Sequence, residues 1–331
     1  MPHRIFALFG AFFLFVSLGL AAKDRIAGRP ESGRLATLRN TVHPQARLQL
    51  DRGSVDPSMR IDYATLMLKP AAGLEVFLAS QQDPNSADYH RWLTPEQFGD
   101  RFGLSANDMA TVVSWLKDQG FTIHDVARGR HWITFSGTAG QVSKAFKTEI
   151  HRYLVDGVTH FANWAPLSVP GEFESVVSGV SGLDDFRPDP QYRLRTSAAD
   201  YNLGSSHYLA PDDLATIYNI APLYRAGIDG TGQKIAIIGR TDIDLADIRS
   251  FRSRFGLPAS DQQVVLFGTD PGTTSDLIEA DLDLEWAGAI ARNATLIYVN
   301  STNIRTSAQY AVDQNLAPVM TYSYGSCEQQ T

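Results

Sequence analysis

The stretch Ser275–Asn300, SDLIEADLDLEWAGAIARNATLIYVN, carries five carboxylates within ten residues: Asp276, Glu279, Asp281, Asp283 and Glu285. It then turns apolar and strand-like. Like charges four apart on a helix repel by a few tenths of a kcal/mol, roughly, so Glu279 and Asp283 stand in a relation that needs a reason. At about 100° per residue, Asp276, Glu279 and Asp283 share one wedge of about 60°, and Asp281 and Glu285 point to the opposite side. Ile278, Leu282, Trp286 and Ala289 are expected to form an apolar stripe flanking the wedge. Glu279 and Asp283 are therefore expected to be partly desolvated, a setting in which neighbouring carboxylates share protons and can act in acid–base chemistry. Asp281 and Glu285 are expected on the solvent face and Asp276 as a partner of the first-turn dipole. An ordinary solvated charge run is the competing reading.

Other candidate motifs are weaker. The turn Gly230-Thr231-Gly232 precedes an apolar strand rather than following one, unlike a dinucleotide fingerprint. The eight histidines include no H-E-x-x-H and no close pair at metal spacing, and His90, His124, His131 and His151 are expected on surfaces or strand faces. FSGTAG and GTTSDL contain no G-x-S-x-G elbow. Asn293 and Asn300 head N-x-S/T sequons, which matter only where the source glycosylates. Cys327 is the only cysteine, which leaves neither an intrachain disulfide nor a C-x-x-C zinc motif.

The elements that must position the carboxylates fall into two modules. From Met59 to about Phe186 the pattern is α+β. MRIDYATLML (59–68) reads as a strand, and Leu74, Phe77 and Leu78 have helical spacing after Pro70. Ser105 with Asp108 forms a capping-box signature ahead of Met109, Val112, Val113 and Leu116, and Gly120 stops that helix. Strands are expected at about 121–126 and 131–135. A second box, Thr138 with Gln141, opens a helix bearing Val142, Ala145 and Phe146, and a hairpin turns on Asp156-Gly157. Strand, helix, strand, strand, helix, strand is the ferredoxin-like order.

Residues 187–206 are polar and aperiodic and read as a linker, a natural site for proteolytic processing. The module at 207–331 alternates strand and helix from the buried strand in GTGQKIAIIG through to 318–323. That alternation predicts a doubly wound parallel α/β sheet. At the other end, an apolar run from Ile5 to Leu20 follows Arg4 and precedes Ala21 and Ala22, the pattern of a secretory signal peptide over 1–22. Residues 23–58 read as a polar, mobile leader. With 44% hydrophobic and 20% charged residues the chain is globular, and its net charge of −7 argues against a general nucleic-acid binder. Export to periplasm or medium is expected.

IEADLDLEWAGAIARNATLIYVN resembles the E-x-x-x-D helix of the sedolisin (serine-carboxyl peptidase) family, kumamolisin-like branch. LAPDDLATIYNIAPLYRAGIDGTGQKIAIIG resembles the opening of that catalytic domain, and SYGSCE a strand lining its cleft. YHRWLTPEQFGDRFG and FGLSANDMATVVSWLKDQGF are similar to the activation domain of the same precursors, so 59–186 is expected to be that domain. The second module is expected to be the beginning of a subtilisin-like peptidase domain. The resemblance implies Glu279 as general base, Asp283 as the carboxylate that orients it, and Tyr324 in the cleft where some members have Trp. Gly239 stands where some members carry a further network Glu. It implies proteins or peptides as substrates, an activation domain covering the cleft, and a calcium ion in the complete domain.

The family's nucleophile lies in a G-T-S-x-x-x-P motif and its oxyanion-hole Asp in an A-x-G-D-x-G-like stretch; neither occurs in these 331 residues. The chain is therefore expected to be truncated before the catalytic serine, to lack the calcium ligands, and to be inactive as it stands. The alternative is a non-enzymatic protein whose activation domain acts in trans as inhibitor or folding helper of a related protease.

Overall fold

A computed structural model describes residues 22–30, 33–191, 201–203 and 206–326. The expected signal peptide up to residue 21, most of the expected linker and Cys327 lie outside the described residues.

The stretch expected to be a mobile leader is instead woven into the first unit. Its strands β1 (Leu35–Thr37) and β2 (Asp51–Ser54) pair with later strands of that unit. Ala36, Leu38 and Val55 lie in its core. Its start is tied down by Asp108, a buried carboxylate that accepts from the backbone N–H of Arg25 (2.6 Å) and Ile26 (3.2 Å). The few apolar residues here follow no local period, so only tertiary packing reveals what they do.

Three helices, α1 (Leu74–Gln82), α2 (Pro95–Phe102) and α3 (Ala106–Asp118), follow the long strand β3 (Arg60–Leu68). Ser105 caps α3 by accepting from the Asp108 N–H at 3.0 Å. The reciprocal half of the expected box is missing, because the Asp108 carboxylate is committed to residues 25 and 26. The chain continues through β4 (Thr122–Val126), β5 (Trp132–Thr138) and α4 (Ala139–Phe146). At α4 the Thr138–Gln141 box closes in both directions, at 2.8 and 3.2 Å. The hairpin of β6 (Ile150–Val155) and β7 (Val158–Asn163) turns on Asp156 (φ 49°) and Gly157 (φ 83°), the left-handed pair that a two-residue loop requires. The short β8 (Ser168–Pro170) and then β9 (Val177–Ser181) complete the unit. Its main sheet runs β4-β5-β3-β9, antiparallel throughout. Leu66, Leu116, Phe135, Phe146 and Phe173 fill one continuous core.

Beyond it, β10 (Asp189–Pro190) precedes the paired β11 (Tyr201–Leu203) and β12 (Ser206–Tyr208) and the short helices α5 (Pro211–Ile217) and α6 (Ala221–Arg225). The second unit then alternates β13 (Lys234–Gly239), α7 (Leu245–Arg254), β14 (Gln263–Leu266), α8 (Leu277–Ile290), β15 (Thr295–Asn300), α9 (Ile304–Asp313), β16 (Val319–Thr321) and β17 (Tyr324–Gly325). The sheet runs β14-β15-β13-β16, all parallel. Both faces are covered. Ile237, Leu296 and Tyr298 meet Ile248 of α7 and Ala280 and Leu284 of α8, while Ala236, Ile238, Ile297 and Val299 meet Ile304 and Ala311 of α9. The helix after β13 (α7) and the helix after the adjacent β15 (α9) cover opposite faces, so the connections reverse between these two strands, and open α/β sheets bind ligands in the crevice outside the carboxyl ends at such a point. Among the described residues no helix is long and apolar enough to cross a membrane.

Asp108→Ala should cost about 1–3 kcal/mol, since it leaves the backbone N–H groups of Arg25 and Ile26 without their acceptor. Thermal unfolding reads the loss, and the amides of Arg25 and Ile26 should exchange with solvent far faster while the rest of α3 keeps its protection.

Candidate active site

The site forms at that reversal point. Gly239 ends β13, and the next residue, Arg240, ion-pairs through Nε with Asp276, the residue before α8. Asp276 stands at the start of α8, where the sequence puts a partner of the first-turn dipole, and it is buried and paired there with Arg240. The turn before it is pinned by Thr274, whose N–H donates to Thr241 Oγ1 (2.9 Å) and whose own Oγ1 accepts from the Asp276 N–H (3.2 Å). One turn into α8, Glu279 is 2% exposed. Another turn on, the half-buried Asp283 accepts a hydrogen bond from the Ser323 hydroxyl at 2.9 Å. Burial pushes the Asp283 carboxyl up and the Ser323 hydrogen bond draws it back down.

Tyr324 completes the group. It is buried, its ring lies under the Arg240 guanidinium (5.3 Å to the centroid), and its hydroxyl has no hydrogen-bond partner among the described residues. Burial is the main cause that pushes its ionisation up, reinforced by the negative charges of Asp276, Glu279 and Asp283. The structure therefore brings Glu279, Asp283 and Tyr324 together, and adds Arg240, Asp276 and Ser323. The sequence offers little signal for those three, because their partners are 36 to 40 residues away.

Tyr298 explains the glycine at 239. A Cβ there would stand 2.0 Å from the Tyr298 hydroxyl oxygen, which donates to the Thr241 carbonyl at 2.9 Å. The space that a residue at 239 would use is already taken by a neighbouring strand's side chain.

Two expectations for α8 fail. Ile278 is 52% and Leu282 37% exposed, so they form no buried stripe with Trp286 and Ala289. The helix packs instead through small residues, Ala280 and Gly288, with Leu284, because Tyr298 and Leu296 already fill the sheet face below. A Cβ on Gly288 would meet Arg252 Nη1 at 2.9 Å and Leu296 at 3.0 Å. Asp281 and Glu285 are half-buried rather than solvated, and face acidic residues of the loop before α7 and its first turn. Desolvation, then Asp247 and Asp244, push Asp281 up to about 6. Desolvation, then Asp281 and Asp247, push Glu285 up to about 7.

The four singled-out histidines all belong to the first unit. His124 stacks on Tyr63 (4.2 Å) and meets Ser136 Oγ at 2.7 Å, His151 pairs with Asp51 at 2.8 Å, burial pushes His131 down, and His90 is exposed. Of the sequons, Asn293 is exposed and Asn300 is buried, donating to Thr241 O and Asp242 Oδ1, which removes it from reach of a glycan. Among the described residues no three His, Cys, Asp or Glu side chains are arranged to hold a metal ion. The calcium implied by the resemblance has no ligand set among them.

The segment leaving the first unit lies along the strand that carries Tyr324. Asp189 and Pro190 pair antiparallel with Gly325 and Tyr324, and the Gln191 N–H donates to Ser323 O at 3.0 Å. An extended segment thus runs beside the strand that carries Ser323 and Tyr324 in a two-stranded ladder of its own, through the kind of backbone pairing by which extended peptides are bound.

The raised carboxyls set a direction for stability against pH. Asp281, Glu285 and, at the junction of the units, Asp184 (pushed up to about 6, chiefly by burial) lie above their ordinary values of about 4. The folded state therefore binds protons that the unfolded chain releases. Their contribution is fully present below about pH 4 and is lost as pH rises through 6 to 7. Unfolding midpoints should rise on acidification from about pH 8 to about 5, and Asp281→Asn with Glu285→Gln should flatten that slope; a slope of opposite sign overturns the assignment.

Comparison with known proteins points to a family. The family described as "Pro-kumamolisin, activation domain" matches residues 49–186. Xanthomonalisin from Xanthomonas sp. (strain T-22) is 29% identical over 310 residues, 82% of this chain and 36% of that protein. Sedolisin from Pseudomonas sp. (strain 101) is 29% identical over 280 residues, 80% of this chain and 47% of that protein. Aorsin from Aspergillus oryzae (strain ATCC 42149 / RIB 40) is 26% identical over 149 residues, 43% of this chain and 21% of that protein. The chain thus spans between a third and a half of the length of the first two relatives. These matches support a sedolisin-family precursor.

Proposed function

We propose, from the premise of a sedolisin-family precursor, that this chain supplies the activation domain and the base-bearing part of a secreted, acid-acting serine-carboxyl endopeptidase. The observation that carries the reading is the buried Glu279, next to Asp283 and Tyr324 at the carboxyl end of the parallel sheet, with the segment from the first unit along the same edge. In this reading Glu279 takes the proton from a serine hydroxyl as that oxygen attacks the peptide carbonyl, and Asp283 orients Glu279. Ser323 holds Asp283 in place by its hydrogen bond. A carboxylate base, with an ordinary pKa near 4, stays ionised and able to accept a proton in acid, where an imidazole near 6.5 is already charged.

The first unit fits a ferredoxin-like activation domain, supported by its antiparallel order β4-β5-β3-β9, and the second the start of a subtilisin-like domain. Asp189 and Pro190, paired with Tyr324 and Gly325, would deny the edge to a substrate strand until the connection is cut. In the family the serine comes from G-T-S-x-x-x-P, which these 331 residues lack. They supply base and orienter without a nucleophile, and calcium belongs to the complete domain. A second reading, the activation domain acting in trans on a related protease, draws on the separate hydrophobic core of the first unit.

Assays near pH 4, roughly the carboxylate range, separate these. The 331-residue chain should show no peptidase activity, and a version extended by a segment bearing the serine motif should cleave protein substrates. Glu279→Gln in the extended version should lower kcat by about 10²–10⁴-fold. Full activity in that variant overturns the assigned base; inhibition of a related protease by the short chain, with no activity from the extended one, selects the second reading.

A further inference from the structure

Asp313 closes α9 where a carboxylate is locally unfavourable. The helix dipole places negative charge at that end, the residue is 1% exposed, and a buried charge is costly unless it is paired or hydrogen-bonded. Its strong partners lie across the boundary between the two units. Oδ2 accepts from the Arg128 N–H at 2.9 Å and Oδ1 from the Gly129 N–H at 3.0 Å, some 185 residues back in the chain. Arg128 Nη1 also donates to the Asp313 carbonyl at 3.3 Å. Among the described residues of its own unit the carboxylate has only the adjacent Gln314 Nε2, at 3.4 Å. The fold of α9 does not call for an aspartate here.

The receiving side is built in advance. Residues 127–130 form the turn between β4 and β5, with Arg130 N–H donating to Ala127 O (2.8 Å) and Arg130 at φ 51°. Two glycines at the end of α2 let this turn sit close. A Cβ on Gly99 would meet Arg128 O at 2.9 Å, and one on Gly103 would meet Gly129 O at 2.5 Å. Leu104 N–H donates to Arg130 O at 3.0 Å. The turn is thereby held with two successive N–H groups facing outward, the arrangement that makes backbone concavities bind anions.

We propose that the Arg128–Gly129 amide pair is a carboxylate-binding site through which the first unit recognises its partner, and that the partner it fits is a helix ending in an aspartate. Here that helix is α9, engaged in cis; once the connection between the units is cut, the same site holds the two units together in trans. Along the helix the contact continues less specifically, through Tyr310 stacked on Phe267 (4.1 Å), whose edge meets Tyr63 of the first unit (6.2 Å). The inference does not depend on the peptidase reading, because it concerns only how the two units hold each other.

The test uses the full chain with a site-specific protease site placed within residues 192–200 and then cut. Cut wild-type units should remain one complex in size-exclusion chromatography. Asp313→Asn keeps the shape but sets an NH₂ against an N–H, and should weaken the complex by about 10- to 100-fold. Arg128→Ala keeps both amides and removes an exposed side chain whose hydrogen bond to the Asp313 carbonyl is long (3.3 Å), so it should weaken binding by no more than about three-fold. In the uncut chain the amides of Arg128 and Gly129 should exchange slowly in the wild type and fast in Asp313→Asn, a readout that needs no binding measurement and is checked beside unchanged far-UV circular dichroism. Asp313→Glu, which keeps the charge but displaces it by one methylene, should also weaken the complex. Equal affinity for wild type and Asp313→Asn, or fast exchange of both amides in the uncut wild type, overturns the proposal. So does Arg128→Ala weakening the complex as much as Asp313→Asn, which would place recognition in the guanidinium.

Discussion

The Arg240–Asp276 ion pair decides where the carboxylate helix meets the central strand. Arg240 is the first residue after β13 and Asp276 the last before α8, so one contact joins the exit of the strand to the entry of the helix. Both charges are withdrawn from water, and a pair so placed tolerates no loss of either member; an uncompensated buried charge costs about 3–5 kcal/mol. Tyr324 lies against the guanidinium at 5.3 Å and gives it a polarisable face in place of solvent. Glu279 and Asp283 inherit their positions from that anchor, one and two turns along α8. A shift of the helix start by one residue would rotate both by about 100° and turn them away from Tyr324.

That anchor leaves α8 with negative charge on two faces, handled in different ways. On the cleft side Asp276 has its guanidinium and Asp283 a serine hydroxyl, and Tyr324 shares the space with Glu279. On the α7 side Asp281 and Glu285 meet Asp244 and Asp247, and the repulsion is relieved by holding protons rather than by pairing with cations. Protons are plentiful in acid, so a helix of this composition suits an acidic medium on both faces, through different chemistry on each.

Much of this fold was legible in local signals. Thr138 with Gln141 and Asp156 with Gly157 are short-range motifs whose hydrogen bonds and φ angles depend on neighbours within three residues, and both appear where the sequence puts them. Alternation of strand and helix from Lys234 to Thr321 follows from apolar runs that must be covered on both faces. The grouping of Glu279 with Asp283 follows from helical spacing alone. What was not legible depends on distant partners. Asp108 gives up half a capping box to bind Arg25 and Ile26, and residues 23–58 join a core that their own composition does not announce. Ile278 and Leu282 turn outward because Tyr298 and Leu296, on other strands, leave room only for Ala280 and Gly288. Asp281 and Glu285 look like a solvent face until α7 is set beside them.

Two of the contacts between the units differ in kind, and the difference bears on how such a pair could come apart. The pairing of Asp189 and Pro190 with Tyr324 and Gly325 uses backbone groups, which any extended segment can present. It spans two residues, and its strength rests on the covalent tether that keeps the segment at high effective concentration. Cutting the tether removes that advantage at once, and the edge beside Glu279 becomes open to competing strands. The seat of Asp313 on the Arg128 and Gly129 amides depends on a particular side chain at a particular helix end, and keeps that specificity when the connection is cut. Occupancy of the cleft edge is therefore tied to the tether, while the hold between the units is tied to α9. The first can be lost while the second persists, and an opened cleft need not mean a departed first unit.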